Sequence, residues 1–132
     1  MAAQKKYQEI KELVVFPSNE PTIEVIPDDY GGAHYYRAKM SMGYDPKKKK
    51  NIYLNKTDTV KFVHKRLDGT IEPGWQSEQL ALILLDRVKK LNEKFPSEYN
   101  EKQIEGLQIY LDACKARIED RLQREVYGEL KQ

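Results

Sequence analysis

Three arginines near the end of the chain are the residues whose type and spacing best suit ligand binding. Arg117, Arg121 and Arg124 are spaced i, i+4 and i+7, so on a helix they share one face. A guanidinium presents a planar set of donors that fits a phosphate in a bidentate way, and it stays charged at any physiological pH. The spacing therefore indicates a phosphate-binding face. A solvated face is the alternative, because Asp120 and Glu125 lie near enough to pair with these arginines.

Asn100 and several aromatic side chains are the next candidates. Asn100 lies at the predicted start of the same helix, where free N–H groups and the helix dipole attract anions. The alternative role for Asn100 is that of a cap or turn residue. Phe95 and Tyr99 lie in the predicted loop before that helix, so they are the best placed rings to stack on a nucleobase. Core packing is the alternative for these rings and for the other aromatics considered, which are Tyr35, Tyr36, Tyr53, Phe62 and Trp75.

Two further segments are basic, but no catalytic set accompanies them. The four lysines at 47–50 fit either an anion-steering loop or a solvated one. His64, Lys65 and Arg66 fit either a phosphate contact or a surface strand end. The sequence gives neither histidine an orienting partner, and it contains no Gly-rich phosphate loop, nucleophile elbow or His-Glu metal motif. We therefore expect no enzymatic activity, no cofactor and no metal.

Length and composition limit the class of protein. The 132 residues fit one ordinary domain, or a small domain with an appendage. The formal charge of +2 is too small for a general nucleic-acid binder, so a nucleic-acid polymer is not an expected partner. The longest apolar run, residues 80–85, is too short to span a bilayer, and the first residues lack a secretory signal. The single Cys114 fits a buried helix seam and a reducing, cytoplasmic compartment.

The N-terminal part of the chain reads as strands and turns after a short helix. Tyr7, Ile10, Leu13 and Val14 have helical spacing, which predicts an amphipathic helix over residues 5–15. Strands are predicted over residues 22–26, 33–42, 51–55 and 60–64, with residues 43–50 as a loop. Asp68-Gly69 predicts a hairpin turn. This part, residues 1–75, is the predicted N-terminal region.

The remaining residues, 76–132, read as a helical hairpin. Ser77 is the predicted N-cap of a helix over residues 78–95, and a second helix is predicted to run to Tyr127 with Gly128 after it. A seam spaced 3, 4, 3, 4 joins the two helices and comprises Ile104, Leu107, Leu111, Cys114 and Ile118. The first helix begins apolar on all sides, so a second subunit is expected to cover it. The predicted fold class is α+β, with a small antiparallel sheet followed by an antiparallel two-helix hairpin in an oligomer.

The helical half resembles the hairpin of small phage proteins that sequester cyclic-nucleotide immune signals, the Thoeris anti-defence and anti-CBASS sponges. The resemblance covers residues 75–130. Its motifs are Glu78-Gln79-Leu80, Asp86-Arg87, Asn100, Arg117-Ile118-Glu119-Asp120-Arg121 and Arg124-Glu125-Val126-Tyr127-Gly128. The part of the chain before the hairpin, which includes His34-Tyr35-Tyr36, is similar to the N-terminal β region of the Thoeris type.

The resemblance implies a non-enzymatic homo-oligomer, such as a hexamer, in the cytoplasm of an infected bacterial host. It implies that the protein holds glycocyclic ADP-ribose, and also cyclic di- or trinucleotides in some members. By position, Asn100, Arg117 and Arg121 match the family's signal pocket, and Phe95 or Leu91 lies near its stacking aromatic. His64, Lys65 and Arg66 are candidates for a second, trinucleotide site.

Three other functions stay open on the sequence. A protein-interaction module would depend on exposed Leu or Ile of the first helix rather than on the arginines. A single-stranded nucleic-acid binder would use the lysine loop and tyrosines, and its affinity would fall steeply with salt. A hydrolase of cyclic messengers would release product, but the sequence offers it no base or metal.

Overall fold

The computed structural model describes residues 8–10, 22–28 and 30–126 of the 132-residue chain. The chain forms two compact units, residues 1–75 and 76–132. An antiparallel sheet is followed by two helices, so the predicted α+β fold class is confirmed.

The first unit is built on a four-stranded antiparallel sheet. Its strands are β1 (Gln8–Ile10), β2 (Ile23–Ile26), β3 (Tyr35–Asp45) and β4 (Lys50–Lys61), in the spatial order β1-β2-β3-β4. A separate two-stranded hairpin follows, made of β5 (His64–Lys65) and β6 (Ile71–Glu72), and the Asp68-Gly69 turn joins its strands.

One face of the sheet carries the small core of this unit. The register places Val25, Tyr36 and Val60 side by side on neighbouring strands. Val25 is 4% exposed, and the ring of Tyr36 meets Phe62 edge-on with 5.9 Å between centroids. The opposite face pairs Tyr35 with Lys61 and is polar. An antiparallel sheet commonly has one packed face and one face in contact with solvent.

Two predictions in this unit were wrong. Residues 8–10 form a strand, not part of a helix, because pairing with the free edge of β2 outweighs a weak helical pattern. The remainder of the predicted helix over residues 5–15 lies outside the described residues. β4 is one continuous strand where two were predicted, because its polar middle pairs with β3 and needs no burial. The predicted loop over residues 43–50 is correspondingly shorter, since β3 continues to Asp45 and β4 begins at Lys50.

The second unit is the predicted helical hairpin. Helix α1 (Ser77–Lys94) and helix α2 (Glu98–Val126) are joined by a short loop over residues 95–97. Ala81, Leu85 and Val88 of α1 are buried at i, i+4 and i+7, and they form the seam of α1. The half-buried residues of the predicted α2 seam are Ile104, Leu107, Leu111 and Cys114, while Ile118 is exposed.

The cap of α1 differs by one position from the prediction. Gln76, not Ser77, precedes the helix in an extended conformation, and its backbone N–H donates to Oε1 of Gln79 at 2.9 Å. This contact satisfies a backbone donor at the helix start as a capping-box glutamine does. The predicted end of the second helix at Tyr127 and Gly128 lies outside the described residues.

The two helices differ in length, and this difference sets the shape of the hairpin. Helix α1 has 18 residues and α2 has 29 residues. The short loop joins the end of α1 to the start of α2. The free end of α2 therefore extends past the start of α1 by about 16 Å, at a rise of about 1.5 Å per residue. We call this projecting part of α2, residues 116–126, the overhang. No described helix is long and apolar enough to cross a membrane.

Candidate functional site

The three arginines all lie on the overhang of α2. Arg124 pairs with Asp120 at 3.3 Å. Arg117 and Arg121 are exposed, and within the described residues neither forms an ion pair or a hydrogen bond. Two guanidinium groups one turn apart are therefore presented on a single helix face, with their donors available for an anion.

Asn100 lies at the opposite end of the hairpin and helps to close its loop. Its side-chain amide donates to the Phe95 carbonyl at 3.0 Å, and its backbone N–H donates to Oγ of Ser97 at 3.1 Å. Asn92 supports the same loop by accepting a hydrogen bond from the Ser97 N–H at 3.1 Å. Asn100 therefore has the cap or turn role that the sequence offered as the alternative to anion binding. Its side-chain oxygen makes no hydrogen bond in the described part of the chain.

Two exposed rings lie just before Asn100 in the chain. Phe95 is 70% exposed and Tyr99 is 78% exposed, and Leu91 in the last turns of α1 is 37% exposed. Neither ring is part of the core, so both remain available for stacking. The loop end of the hairpin therefore offers rings and an amide, whereas the overhang offers cations.

These two groups cannot serve one small ligand within a single chain. Asn100 and Arg117 lie at opposite ends of one continuous helix, and their separation along its axis is about 26 Å. The hairpin is antiparallel, so the overhang of one copy would reach the loop of another only if a second chain were aligned beside it.

The structure gives two of the three residues His64, Lys65 and Arg66 internal partners. The His64 ring stacks on His34 with 4.1 Å between centroids and 6° between planes, and its Nδ1 lies 3.0 Å from the Phe62 carbonyl. Arg66 forms an ion pair with Glu72 and donates to Oγ1 of Thr70. Lys65 alone keeps an exposed side chain without a described partner.

The histidine stack belongs to a cluster that sequence reasoning missed. Tyr30 meets His34 edge-on at 4.8 Å, and its hydroxyl donates to the Lys65 carbonyl. Nε2 of His34 is buried without a hydrogen-bond partner in the described structure. No local pattern could signal this cluster, because His34 and His64 are far apart in the sequence and meet just beyond the end of the β3–β4 pairing, where the Phe62 N–H donates to the His34 carbonyl.

Asp28 holds the turn that carries Tyr30. Its Oδ1 accepts hydrogen bonds from the N–H groups of Tyr30 and Gly32 at 2.8 and 2.9 Å. Burial alone would raise the pKa of Asp28, but the hydrogen bonds from Gly32 and Tyr30 and the nearby His34 hold this pKa below its ordinary value. The ionised carboxylate therefore stabilises the folded turn above the unfolded pKa, and the contribution is lost as pH falls through the lowered folded pKa.

This linkage makes a measurable prediction for Asp28→Ala. Losing two hydrogen bonds is expected to lower the free energy of unfolding at pH 7 by about 1–3 kcal/mol. The difference from the parent protein should shrink as pH falls from about 4 through the lowered pKa of the folded state, because the Asp28 carboxylate of the parent protein then becomes protonated. Urea unfolding from pH 7 down to pH 2.5 measures both effects. A difference that stays constant with pH would show that the charge of Asp28 is irrelevant.

An open groove lies on the polar side of the first unit. Its volume is about 600 Å³, and it is lined by Tyr35, Thr59, Lys61, Pro73, Gly74 and Trp75. Nζ of Lys61 lies 5.7 Å from the Tyr35 ring centre and 3.0 Å from Oε1 of Glu72. Trp75 is half exposed. The only sequence signals for this groove were the aromatic residues themselves, which most often belong to a core.

Nothing in the described ranges points to a metal centre, since no three His, Cys, Asp or Glu side chains are grouped to hold an ion. No protein-family model and no curated protein sequence matches the chain.

Proposed function

We propose that this protein binds and withholds a cyclic nucleotide or cyclic ADP-ribose-type immune signal of a bacterial host without degrading it. The observation that carries the proposal is the pair Arg117 and Arg121, which are exposed one turn apart on the overhang with no anionic partner among the described residues. Such ligands carry two or more phosphate charges and flat bases. Two guanidinium groups at this spacing suit the phosphates, and exposed rings such as Phe95 suit a base.

The pocket we propose is shared between copies of the chain. Arg117 and Arg121 of one copy would face the loop of a second copy, where Asn100, Phe95 and Leu91 lie. The distance of about 26 Å that separates Asn100 from Arg117 along one helix favours this arrangement. Exposed apolar side chains on both helices, Leu82, Ile83, Leu84, Ile109 and Leu122 among them, supply the surface that such an assembly needs.

The shared pocket predicts complementation between two inactive variants. Asn100→Asp places a negative charge at the ligand, and Arg117→Ala/Arg121→Ala removes the phosphate donors, so neither protein alone should retain a cyclic messenger. Unfolding and refolding the two together should restore about a quarter of the wild-type capacity, since random pairing leaves one intact pocket in half of the pairs. Retained ligand is counted after ultrafiltration. No recovery in verified mixed assemblies would place all of the ligand contacts within one chain.

A protein-interaction module is the second candidate function, and one observation favours it. Leu82, Ile83 and Leu84 are all more than half exposed on α1, opposite or beside the seam. A partner that covers this surface would depend on these side chains and not on Arg117 or Arg121. Arg117→Ala/Arg121→Ala separates the two candidate functions, because an interaction module keeps its partner in this variant, whereas a sponge loses the messenger.

Isothermal titration calorimetry tests the proposed function directly. The ligand panel comprises glycocyclic ADP-ribose isomers and cyclic di- and trinucleotides, with linear ADP-ribose and AMP as controls. A sponge requires at least one cyclic ligand to bind far more tightly than its linear control. No heat of binding with any cyclic ligand would contradict the proposal.

A further inference from the structure

A two-stranded arm projects from the sheet of the first unit. Strand β2 pairs with β3 only from Tyr35 to Ala38. The backbone N–H of Lys39 donates one further hydrogen bond to the Thr22 carbonyl. Beyond that point, β3 and β4 pair with each other alone among the described strands. We call residues 40–57 the arm. Its first strand, from Met40 to Asp45, extends about 20 Å at a strand rise of about 3.4 Å.

The arm carries a strong local excess of positive charge. Five lysines and one aspartate give it a formal charge of +4, in a chain whose total is +2. Four of these lysines, Lys47, Lys48, Lys49 and Lys50, follow one another at the tip. The modest net charge of the whole chain therefore conceals a strongly basic ribbon and a remainder that is slightly acidic.

The tip is an ordered turn rather than a loose loop. Oδ1 of Asp45 accepts hydrogen bonds from the backbone N–H groups of Lys47 and Lys48 at 2.8 and 3.2 Å. Lys49 has a φ of 55°, in the left-handed region where glycine is favoured. A lysine there costs roughly 1 kcal/mol of strain, and repulsion from its neighbours adds to that cost. The turn thus keeps a cation where a glycine would be more stable.

Apolar side chains accompany the charge. Met40 and Met42 are 52% and 66% exposed, Tyr44 is about half exposed, and Pro46 is exposed at the tip. No described strand pairs with either outer edge of the arm, and a small hairpin of this kind gains little stability from its own burial. Its exposed apolar atoms can contact a partner, while the lysines reach anions on either side.

We propose that the arm binds double-stranded B-form DNA through the major groove, with its lysines on the phosphates. That groove is about 12 Å wide and admits a two-stranded β-ribbon. The major groove of A-form RNA is too deep and narrow for the same entry. Contacts from lysines to phosphates carry no sequence information, so this binding is not sequence-specific. The inference is independent of the proposed messenger pocket, which lies in the other unit.

Fluorescence anisotropy of a labelled DNA duplex of about 20 base pairs, titrated with the full chain from about 50 to 200 mM KCl, tests the proposal. The test variant is Lys47→Gln/Lys48→Gln/Lys49→Gln/Lys50→Gln, which preserves the length of the turn and the backbone contacts of Asp45. We expect the slope of log affinity against log salt to fall by roughly 3–4, and the affinity at about 150 mM to fall about 100-fold or more.

The matched control changes four exposed lysines of the helical hairpin, as Lys89→Gln/Lys94→Gln/Lys102→Gln/Lys115→Gln. It removes the same charge and should leave most of the DNA affinity intact. Circular dichroism verifies the fold of both variants. The proposal is overturned by absence of DNA binding at the lowest salt concentration, or by equal losses in the two variants. It is also overturned by a preference for duplex RNA of the same sequence or for phosphatidylserine vesicles.

Discussion

Arg117→Ala and Arg121→Ala are each expected to abolish retention of the cyclic messenger without unfolding the protein. Each change removes a charge-assisted contact worth about 1.5–3 kcal/mol. Such a loss weakens binding roughly tenfold to a hundredfold. Both side chains are exposed and unpaired among the described residues, so the free energy of unfolding should change by no more than about 0.5 kcal/mol. Calorimetric affinity and a thermal melt of each variant give the two numbers.

Lys115→Ala is the matched control for these variants. It removes one cation from the same helix, but Lys115 lies two positions before Arg117 and so points to a different side of α2. It should leave the affinity within about twofold, because a distant exposed charge is screened by salt. Equal losses of ligand affinity in Lys115→Ala and Arg117→Ala would mean that the arginines contribute only through their general positive charge. Unchanged affinity in both arginine variants would contradict their proposed role altogether.

Gly74→Ala is expected to cause a large loss of stability in the first unit. A Cβ at this position would lie 2.5 Å from the Phe62 carbonyl carbon and 2.6 Å from the Val63 nitrogen, and both of these atoms belong to the backbone. Trp75 beside it is held by two hydrogen bonds, one donated to the Lys61 carbonyl at 2.7 Å and one accepted from the Val63 N–H at 2.9 Å. Rigid neighbours of this kind make overpacking cost about 3 kcal/mol or more.

The readout for Gly74→Ala is unusually direct, because Trp75 is the single tryptophan of the chain. Its fluorescence should shift to the red at lower urea than in the parent protein. Gly106→Ala is the control, since a Cβ there meets nothing within 4 Å and the residue lies within α2. That change should stabilise the helix by about 1 kcal/mol, because alanine has the higher helix propensity. Wild-type stability in Gly74→Ala would mean that the segment carrying Trp75 does not pack against residues 61–63 as described.

The helical half was predictable because its pattern is local. Apolar residues spaced by three and four, such as Ala81, Leu85 and Val88, specify a buried helix face with no reference to the remainder of the chain. The arginines could likewise be placed on one face from their spacing alone. The sequence could not tell that Arg117 and Arg121 have no ion-pair partner among the described residues, since Asp120 lies within reach of more than one arginine and pairs with Arg124.

The sheet half was less predictable because its decisive contacts are non-local. The polar residues in the middle of β4 predict an interruption between two strands. Only their pairing with residues 37–39 of β3 makes this segment part of one strand. The partner of Arg66 is Glu72 across a hairpin, and the partner of His64 is His34, which lies much earlier in the chain. The two strands predicted beside the lysine loop gave no sign that they would extend past the end of β2 as an arm. Short-range propensity does not contain this information.

The most direct test of the central claim is to identify what the protein releases after capture. The purified protein is mixed with the panel of glycocyclic ADP-ribose isomers and cyclic di- and trinucleotides, and unbound ligand is removed by ultrafiltration. The retained material is then released by heat and analysed by chromatography with mass detection. We predict recovery of an intact cyclic messenger from the parent protein and from Lys115→Ala, and none from Arg117→Ala or Arg121→Ala. Recovery of a linear or cleaved product would instead identify an enzyme, and an empty parent protein would contradict messenger sequestration.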